Sequence, residues 1–513
     1  MARRTVSAPL SWSSRTLPPP GNRSGLRRAI LEAGRGAILE SVARGGPEGR
    51  YALFAVDPIR TLAPAGDPFE PLAAACRPWL RLEPPCPLPF VGGWIGYLSY
   101  EAGRHIEPTA GWDDRPLRLP LSQWTLFDTV LIHDNEVDRW TLAGVNLPRR
   151  VARRARPPIA ERLDRLEALV RSANDVALRS DAGAQPTAPV RAVEPHDRPG
   201  RRFPAGARDG FRICSPGHWN LSRGAYLDRV RRALEYIRAG DIFQVNLSRR
   251  FRLEADLPPW AIYERLCRTN PAPYAACVPV ASAAAGRPAA VVSSSPELFL
   301  LLRGREVLTR PIKGTRPRGE TPRGDAEAAA ALARSEKDRA ELNMIVDLER
   351  NDLGRVCEYG SVRVAHDGEI ERHPTVFHRA ATVAGRLRPG LDAIDLLRAT
   401  FPGGSITGAP KVRAMQIIHE LEADSRGPYC GAIGFIGLDG RLCLNLGIRT
   451  LAAAGGAIDL SVGSGIVADS DPEDEYRETL AKAAGMLAAL GADRDPDAIG
   501  TAKHAAVVAP PWP

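Results

Sequence analysis

Lys313 sits in the segment Arg310-Pro311-Ile312-Lys313-Gly314-Thr315-Arg316-Pro317-Arg318-Gly319, where prolines and glycines predict a fixed loop around a single lysine. A lysine held in a partly desolvated pocket loses its proton more easily and becomes a nucleophile. Taken alone, the same residues are read more simply as a surface lysine in a basic loop.

Two acidic helices come next. Glu341 lies on a helical pattern whose Met344, Ile345 and Leu348 face a core. Near the end of the chain, Glu475, Glu478 and Lys482 are spaced i, i+3, i+7 and share one helix face. Carboxylates brought together from two helices suit Mg²⁺, which takes one or two carboxylates and keeps waters or substrate oxygens. Spacing alone fits solvated helix faces with a Glu–Lys pair better.

The glycine-rich run 401–411 leads straight into a helical pattern over 412–422, and Gly463-Ser464-Gly465 follows a strand. Backbone N–H groups at such places receive carboxylates or phosphates. Neither run is a Walker A loop or a dinucleotide fingerprint. Arg449, in an apolar strand pattern, either pairs with an acid or contacts an anionic ligand. Together these residues compose a site for a small polyanion with a divalent metal.

The elements that must hold them fall in three regions. Residues 26–148 carry strand-like runs such as 51–56 and 124–133, after a leader over 1–25 read as disordered. Residues 149–220 are rich in Arg, Ala and Pro and read as a linker, with a possible helix over 158–178. Residues 221–490 are dense in ordered signals, and 491–513 read as a loose tail. Tyr226, Val230, Ala233, Leu234 and Ile237 predict a helix ended by Gly240. Phe243, Val245 and Leu247 then alternate with Gln244, Asn246 and Ser248, predicting a half-buried strand. A helix over 338–353, strands over 432–436, 442–451 and 458–462, and a helix from 472 capped by Ser470 or Asp471 follow. Strand follows strand as often as helix intervenes, which favours an α+β fold with mostly antiparallel sheets.

Composition excludes several classes. With 44% hydrophobic and 25% charged residues in a 513-residue chain, this is a globular protein with a large core. No run approaches the length of a membrane span, and no signal peptide opens the chain. The eight cysteines show no CxxC pair, which suits reduced thiols in the cytoplasm. The net charge of +9 does not imply a nucleic-acid partner. Residues 1–30 hold six arginines and no acids, and 145–223 hold sixteen arginines against eight acids, so the remainder is net acidic.

Eight stretches, in order, resemble the chorismate-utilising enzymes, the group of anthranilate, aminodeoxychorismate, isochorismate and salicylate synthases. They are GDIFQVNLSRRF (240–251), SSSPELFL (293–300), PIKGTRPRG (311–319), ELNMIVDLERNDLGRVCEYG (341–360), FPGGSITGAPKVRAMQIIHELE (401–422), GPYCGAIGFIG (427–437), LNLGIRT (444–450) and VGSGIVADSDPEDEYRETLAKA (462–483). ILES (38–41), ALFAVDP (52–58) and FVGGWIGYLSYE (90–101) resemble the family's first domain more loosely. The resemblance implies two mostly antiparallel sheets packed together and flanked by helices.

It also implies roles. Glu341 and Glu478 match the Mg²⁺-binding positions, and Mg²⁺ in turn holds the ring carboxylate of chorismate. Ser405, Gly463 and Gly465 match positions lining that carboxylate; Tyr429 and Arg449 match those that bind the enolpyruvyl carboxylate. Gly314, Thr315 and Lys482 join them as substrate contacts. Glu297 matches the general acid/base, and His378 the active-site histidine of a VxHLxS-like segment in which Arg379 replaces Leu and Ala381 replaces Ser. The PIKGT loop is the version found in members that aminate carbon 4 through a lysine adduct, whereas carbon-2 aminating members usually carry PIAGT. The chain has no glutaminase-like cysteine motif, so ammonia is implied to come from a separate glutamine amidotransferase subunit. ILES resembles a site where relatives bind tryptophan; a buried strand explains the same residues.

Overall fold

The computed structural model describes residues 9–32, 36–42, 49–77, 82–181, 212–215, 217–281, 287–373 and 376–492. Two large sheets face each other. One has fourteen strands and the other ten, and every pairing is antiparallel except that of Leu10–Leu17 with Leu82–Glu83. Helices flank them, so the α+β arrangement of the sequence reading holds.

Period-two alternation explains the layering. In the strand Tyr51–Val56, Leu53 and Ala55 enter the core between the sheets. Ala52, Phe54 and Val56 point the other way, into a second core under the helices Arg23–Leu31, Ile159–Asp181, Pro259–Thr269 and Pro472–Leu490. The helices Glu336–Gly354 and Pro322–Arg334 pack on the strand Val376–Arg386 of the ten-stranded sheet.

Both sheets run through the N-terminal and C-terminal regions. Strand Gly36–Glu40 pairs with Tyr274–Val280, and Gly93–Leu98 pairs with Ala432–Gly437. The regions 26–148 and 221–490, read as separate domains, therefore share hydrogen-bonded sheets and one core. One further difference concerns the leader, read as disordered. Residues Leu10–Leu17 of the leader form a strand against Arg139–Val145, with Leu10 and Leu17 buried. The helix expected over 158–178 is present as Ile159–Asp181, and it buries Leu163, Leu166 and Val170. Residues 182–211, and the tail beyond 492, lie outside the described residues.

No helix among the described residues is long and apolar enough to cross a membrane. None of the eight cysteines forms a disulfide among the described residues.

Candidate active site

Lys313 lies on an edge strand, Ile312–Pro317, rather than in a loop. Ile312 faces Ala380 and Thr315 faces His378, so one extra residue bulges between the pairs. Gly314 carries the bulge at φ 79°. A Cβ there would meet the Asp338 side chain at 2.8 Å, which excludes a larger residue. The bulge aims Lys313 at the strand Ala457–Ile466, where its Nζ lies 3.4 Å from the point a Cβ on Gly465 would occupy.

Gln244 Nε2 lies 3.0 Å from that same point. Its side chain is fully buried, and neither amide atom has a hydrogen-bond partner among the described residues. A buried amide without partners is costly, so it is placed to meet a ligand. Sequence reading put Gln244 on the solvent side of its strand. Instead Gln244, Asn246 and Ser248 are buried and Phe243 is exposed, because the strand Gln244–Asp256 is paired on both edges, to Ala457–Ile466 and to Gly408–Ala409.

Glu297 is buried where the strand Leu298–Arg303 begins, and its carboxyl hydrogen-bonds Ser405. Burial pushes it up to about 7, although Ser405, Lys313 and Lys482 pull the other way. Glu349, 3.3 Å from the Thr309 hydroxyl, is likewise raised by burial and by Asp352, whose carboxylate pairs with Lys411 at 2.6 Å.

Two helices bring the acidic residues together. Ser335 caps Glu336–Gly354 and Asp471 caps Pro472–Leu490; Ser470, the alternative cap, bonds Glu475 at 2.6 Å instead. Glu341 is raised by burial, with the neighbouring Glu478 adding to the effect and Lys313 and Lys337 opposing it. Burial works to raise Glu478 too, but Lys482, Lys313 and Lys337 hold it below its ordinary value. Lys482 pairs with Glu478 at 2.6 Å and donates to the Gly463 carbonyl at 3.0 Å. Among the described residues no group of three or more His, Cys, Asp or Glu is arranged to hold a metal. Two facing carboxylates with lysines as counter-charges fit a hard ion that completes its shell with substrate oxygens and water, as Mg²⁺ does.

Arg449 is not within a strand. Leu442–Leu446 belongs to the ten-stranded sheet and Thr450–Ala454 to the fourteen-stranded one, so the chain crosses between sheets at 447–449 and Arg449 takes φ 50°. Its guanidinium forms no hydrogen bond or ion pair with the described residues and lies in the field of Glu297, ready for an anion. Tyr429 Oη is 2.9 Å from the Cβ point of Gly463, so both glycines leave room where side chains would intrude.

His378 Nδ1 lies 2.9 Å from Thr315 Oγ1. Burial, with Arg449 and His373 near, holds its imidazole down to about 3, so it is neutral at physiological pH. Arg379 points to the opposite face of the strand and donates to the carbonyls of Leu332, Ala333 and Ser335 at the end of a helix. Arg379, at the position where the family carries Leu, therefore does not compete with His378 for the Thr315 side of the strand.

The residues singled out as catalytic, metal-binding or chorismate-binding fall in one constellation, linked through Lys313, Glu297 and Gly463. A separate cavity of about 670 Å³ opens between the sheets, lined by Leu39, Glu40, Tyr51, Pro273, Tyr274 and Asn445 among others.

The family model described as chorismate binding enzyme matches residues 40–488. The chain is 40% identical over 455 residues to "Anthranilate synthase component 1" of Streptomyces coelicolor, covering 89% of this chain and 83% of the relative. It is 40% identical over 403 residues to "Aminodeoxychorismate synthase component 1" of Klebsiella aerogenes, covering 79% and 78%. The solved anthranilate synthase component I from Streptococcus pneumoniae TIGR4 superposes with a TM-score of 0.65 at 28% identity, over 86% of this chain and 93% of that one. With that match running through both halves of the shared sheets, the chain belongs to the chorismate-binding enzymes.

Proposed function

We propose that this chain is the chorismate-aminating component of an aminodeoxychorismate synthase, exchanging the 4-hydroxyl of chorismate for an amino group while the enolpyruvyl group stays. Lys313 carries the reading: its amine faces Gly465 and Gln244 and sits in the fields of Glu297, Glu341 and Glu478. Relatives named aminodeoxychorismate synthase component 1, from Klebsiella aerogenes, Salmonella typhimurium, Bacillus subtilis and Escherichia coli, support it at 36–40% identity.

In this mechanism the Lys313 amine attacks ring carbon 2 while the bond from carbon 4 to its hydroxyl breaks. Glu297, held near 7, gives its proton to the departing oxygen, which leaves as water. Ammonia then adds at carbon 4, the bond from carbon 2 to Lys313 breaks, and Glu297 recovers a proton. Arg449 and Tyr429 hold the enolpyruvyl carboxylate; Ser405, Gly463, Gly465, Gly314 and Thr315 surround the ring, and neutral His378 orients it through Thr315. Gln244 offers its amide to whatever group lies against Lys313. Glu341 and Glu478 are the residues that would hold Mg²⁺, whose charge, when bound, neutralises and orients the ring carboxylate.

The relatives' designation as component 1 supports a second component, which we infer to be a glutamine amidotransferase supplying ammonia in the cytoplasm. The cavity beside ILES could receive tryptophan: Leu39, Leu53 and Pro273 offer apolar walls for a ring, and Asn445 Oδ1 lies buried there with no partner among the described residues.

Anthranilate synthase is the second reading, favoured by the relatives of that name. The adduct separates the two. After denaturing quench of enzyme, chorismate and Mg²⁺ without ammonia, the Lys313 peptide is expected to gain the mass of chorismate less one water. An unmodified Lys313 throughout turnover rejects the lysine mechanism.

A further inference from the structure

Arg426 makes no side-chain hydrogen bond to a side chain assigned to the reaction, although its guanidinium lies 6.0 Å from the Tyr429 ring, and it ties together the segments that carry those groups. Its side chain is almost fully buried. Nη2 donates to the Asn246 carbonyl at 2.7 Å and Nη1 to the Ile406 carbonyl at 2.9 Å. Nε and Nη2 grip both oxygens of Glu422 at 2.8 and 2.6 Å, and Glu422 also accepts the Ser248 N–H at 2.8 Å. Asn246 and Ser248 stand opposite Gly465 and Gly463, Ile406 follows Ser405, and Tyr429 lies three residues beyond Arg426.

The backbone of this hub is held from the N-terminal region. The buried Glu101 carboxylate accepts the Arg426 N–H at 2.6 Å and the Gly427 N–H at 3.1 Å. Tyr100 donates its N–H to the Gly427 carbonyl at 2.8 Å and lays its ring 4.6 Å from the Arg426 guanidinium. A buried ion pair adds little net stability over apolar residues of the same shape, so its contribution here is geometry.

We propose that Glu101 and Arg426 are positioning residues that fix Ser405, Tyr429 and the Gly463–Gly465 strand at the spacing needed to hold the substrate's carboxylates. Identifying those carboxylates as chorismate's rests on the functional reading above. The N-terminal region thereby completes a site whose substrate-facing residues named above all lie between 244 and 482.

Two full-chain variants test this. Glu101→Gln keeps size but turns one acceptor oxygen into a donor facing an N–H, and Arg426→Lys keeps charge but loses the fork. Arg426→Ala is avoided because it strands Glu422. In the ligand-free protein, amide exchange in 404–409 and 427–431 is expected to rise in both variants, with the helix Pro472–Leu490 unchanged. With chorismate and ammonium salt, the chorismate KM is expected to rise about tenfold while kcat and the ammonia KM move less than about threefold. Unchanged exchange in both segments, or a lowered melting temperature with an unchanged chorismate KM, overturns the proposal. If the wild-type chain does not turn over chorismate, the functional reading falls, and amide exchange alone still decides whether Glu101 and Arg426 fix these segments.

Discussion

The ε-amine of Lys313 lies 3.4 Å from the point where a side chain on Gly465 would place its Cβ, and the Gln244 amide lies 3.0 Å from the same point. Gly465 is therefore the gap through which the strand Ala457–Ile466 lets the lysine reach a ligand. In Gly465→Ala the crowded atoms are ends of flexible side chains, so the fold should persist while kcat falls about 10- to 100-fold through misplacement. Gly463→Ala should be worse, because its Cβ would meet the Leu247 carbonyl at 2.7 Å. Steady-state kinetics beside thermal melting checks both. Wild-type kcat in Gly465→Ala would show that Lys313 does not approach substrate from this side.

Lys313→Ala should lose amination by on the order of 10³-fold or more while chorismate still binds within about threefold, since the carboxylate-facing groups remain. Product chromatography and chorismate-induced fluorescence change measure the two separately. Unchanged amination would remove the lysine from the mechanism.

Glu341→Ala and Glu478→Ala should each raise the Mg²⁺ concentration needed for half-maximal activity more than about tenfold, with poor rescue at excess. Glu478→Ala should also disturb Lys482, which loses its 2.6 Å partner. A wild-type Mg²⁺ titration in both variants would take these carboxylates out of the metal site.

Glu297 couples activity to stability. Its pKa is raised from 4.5 to about 7 in the folded protein. The folded state binds this proton more tightly, so the stability it contributes is full below about pH 4.5 and is lost as pH rises through 7. That displacement corresponds to about 3 kcal/mol. Glu297→Gln cannot ionise, so its melting temperature relative to wild type should be higher at pH 8 than at pH 5, while activity falls about 10²- to 10⁴-fold. An identical pH dependence of melting in variant and wild type would contradict the buried, proton-holding carboxyl.

The chemistry of this site was legible because much of it is local. Glycines at 463 and 465, a lysine between Ile312 and Gly314, and carboxylates on two capped helices announce themselves in short windows. What was not legible depends on long-range pairing. Gln244 looked solvent-facing because nothing near it in sequence reveals that Gly408–Ala409 closes the second edge of its strand. Arg449 looked like a strand residue because both flanks are apolar strands, and only the two-sheet arrangement makes its position a crossing. Likewise the leader's Leu10–Leu17 is too polar to stand out, and it is ordered by a strand more than a hundred residues away.

Product identification tests the central claim most directly. The purified chain would be incubated with chorismate, Mg²⁺ and ammonium salt at mildly alkaline pH, and the products separated by chromatography with mass detection. The expected product is an amine that keeps its enolpyruvyl group and that added aminodeoxychorismate lyase converts to 4-aminobenzoate. Anthranilate with pyruvate would contradict it, and would place Lys313 in a carbon-2 aminating enzyme.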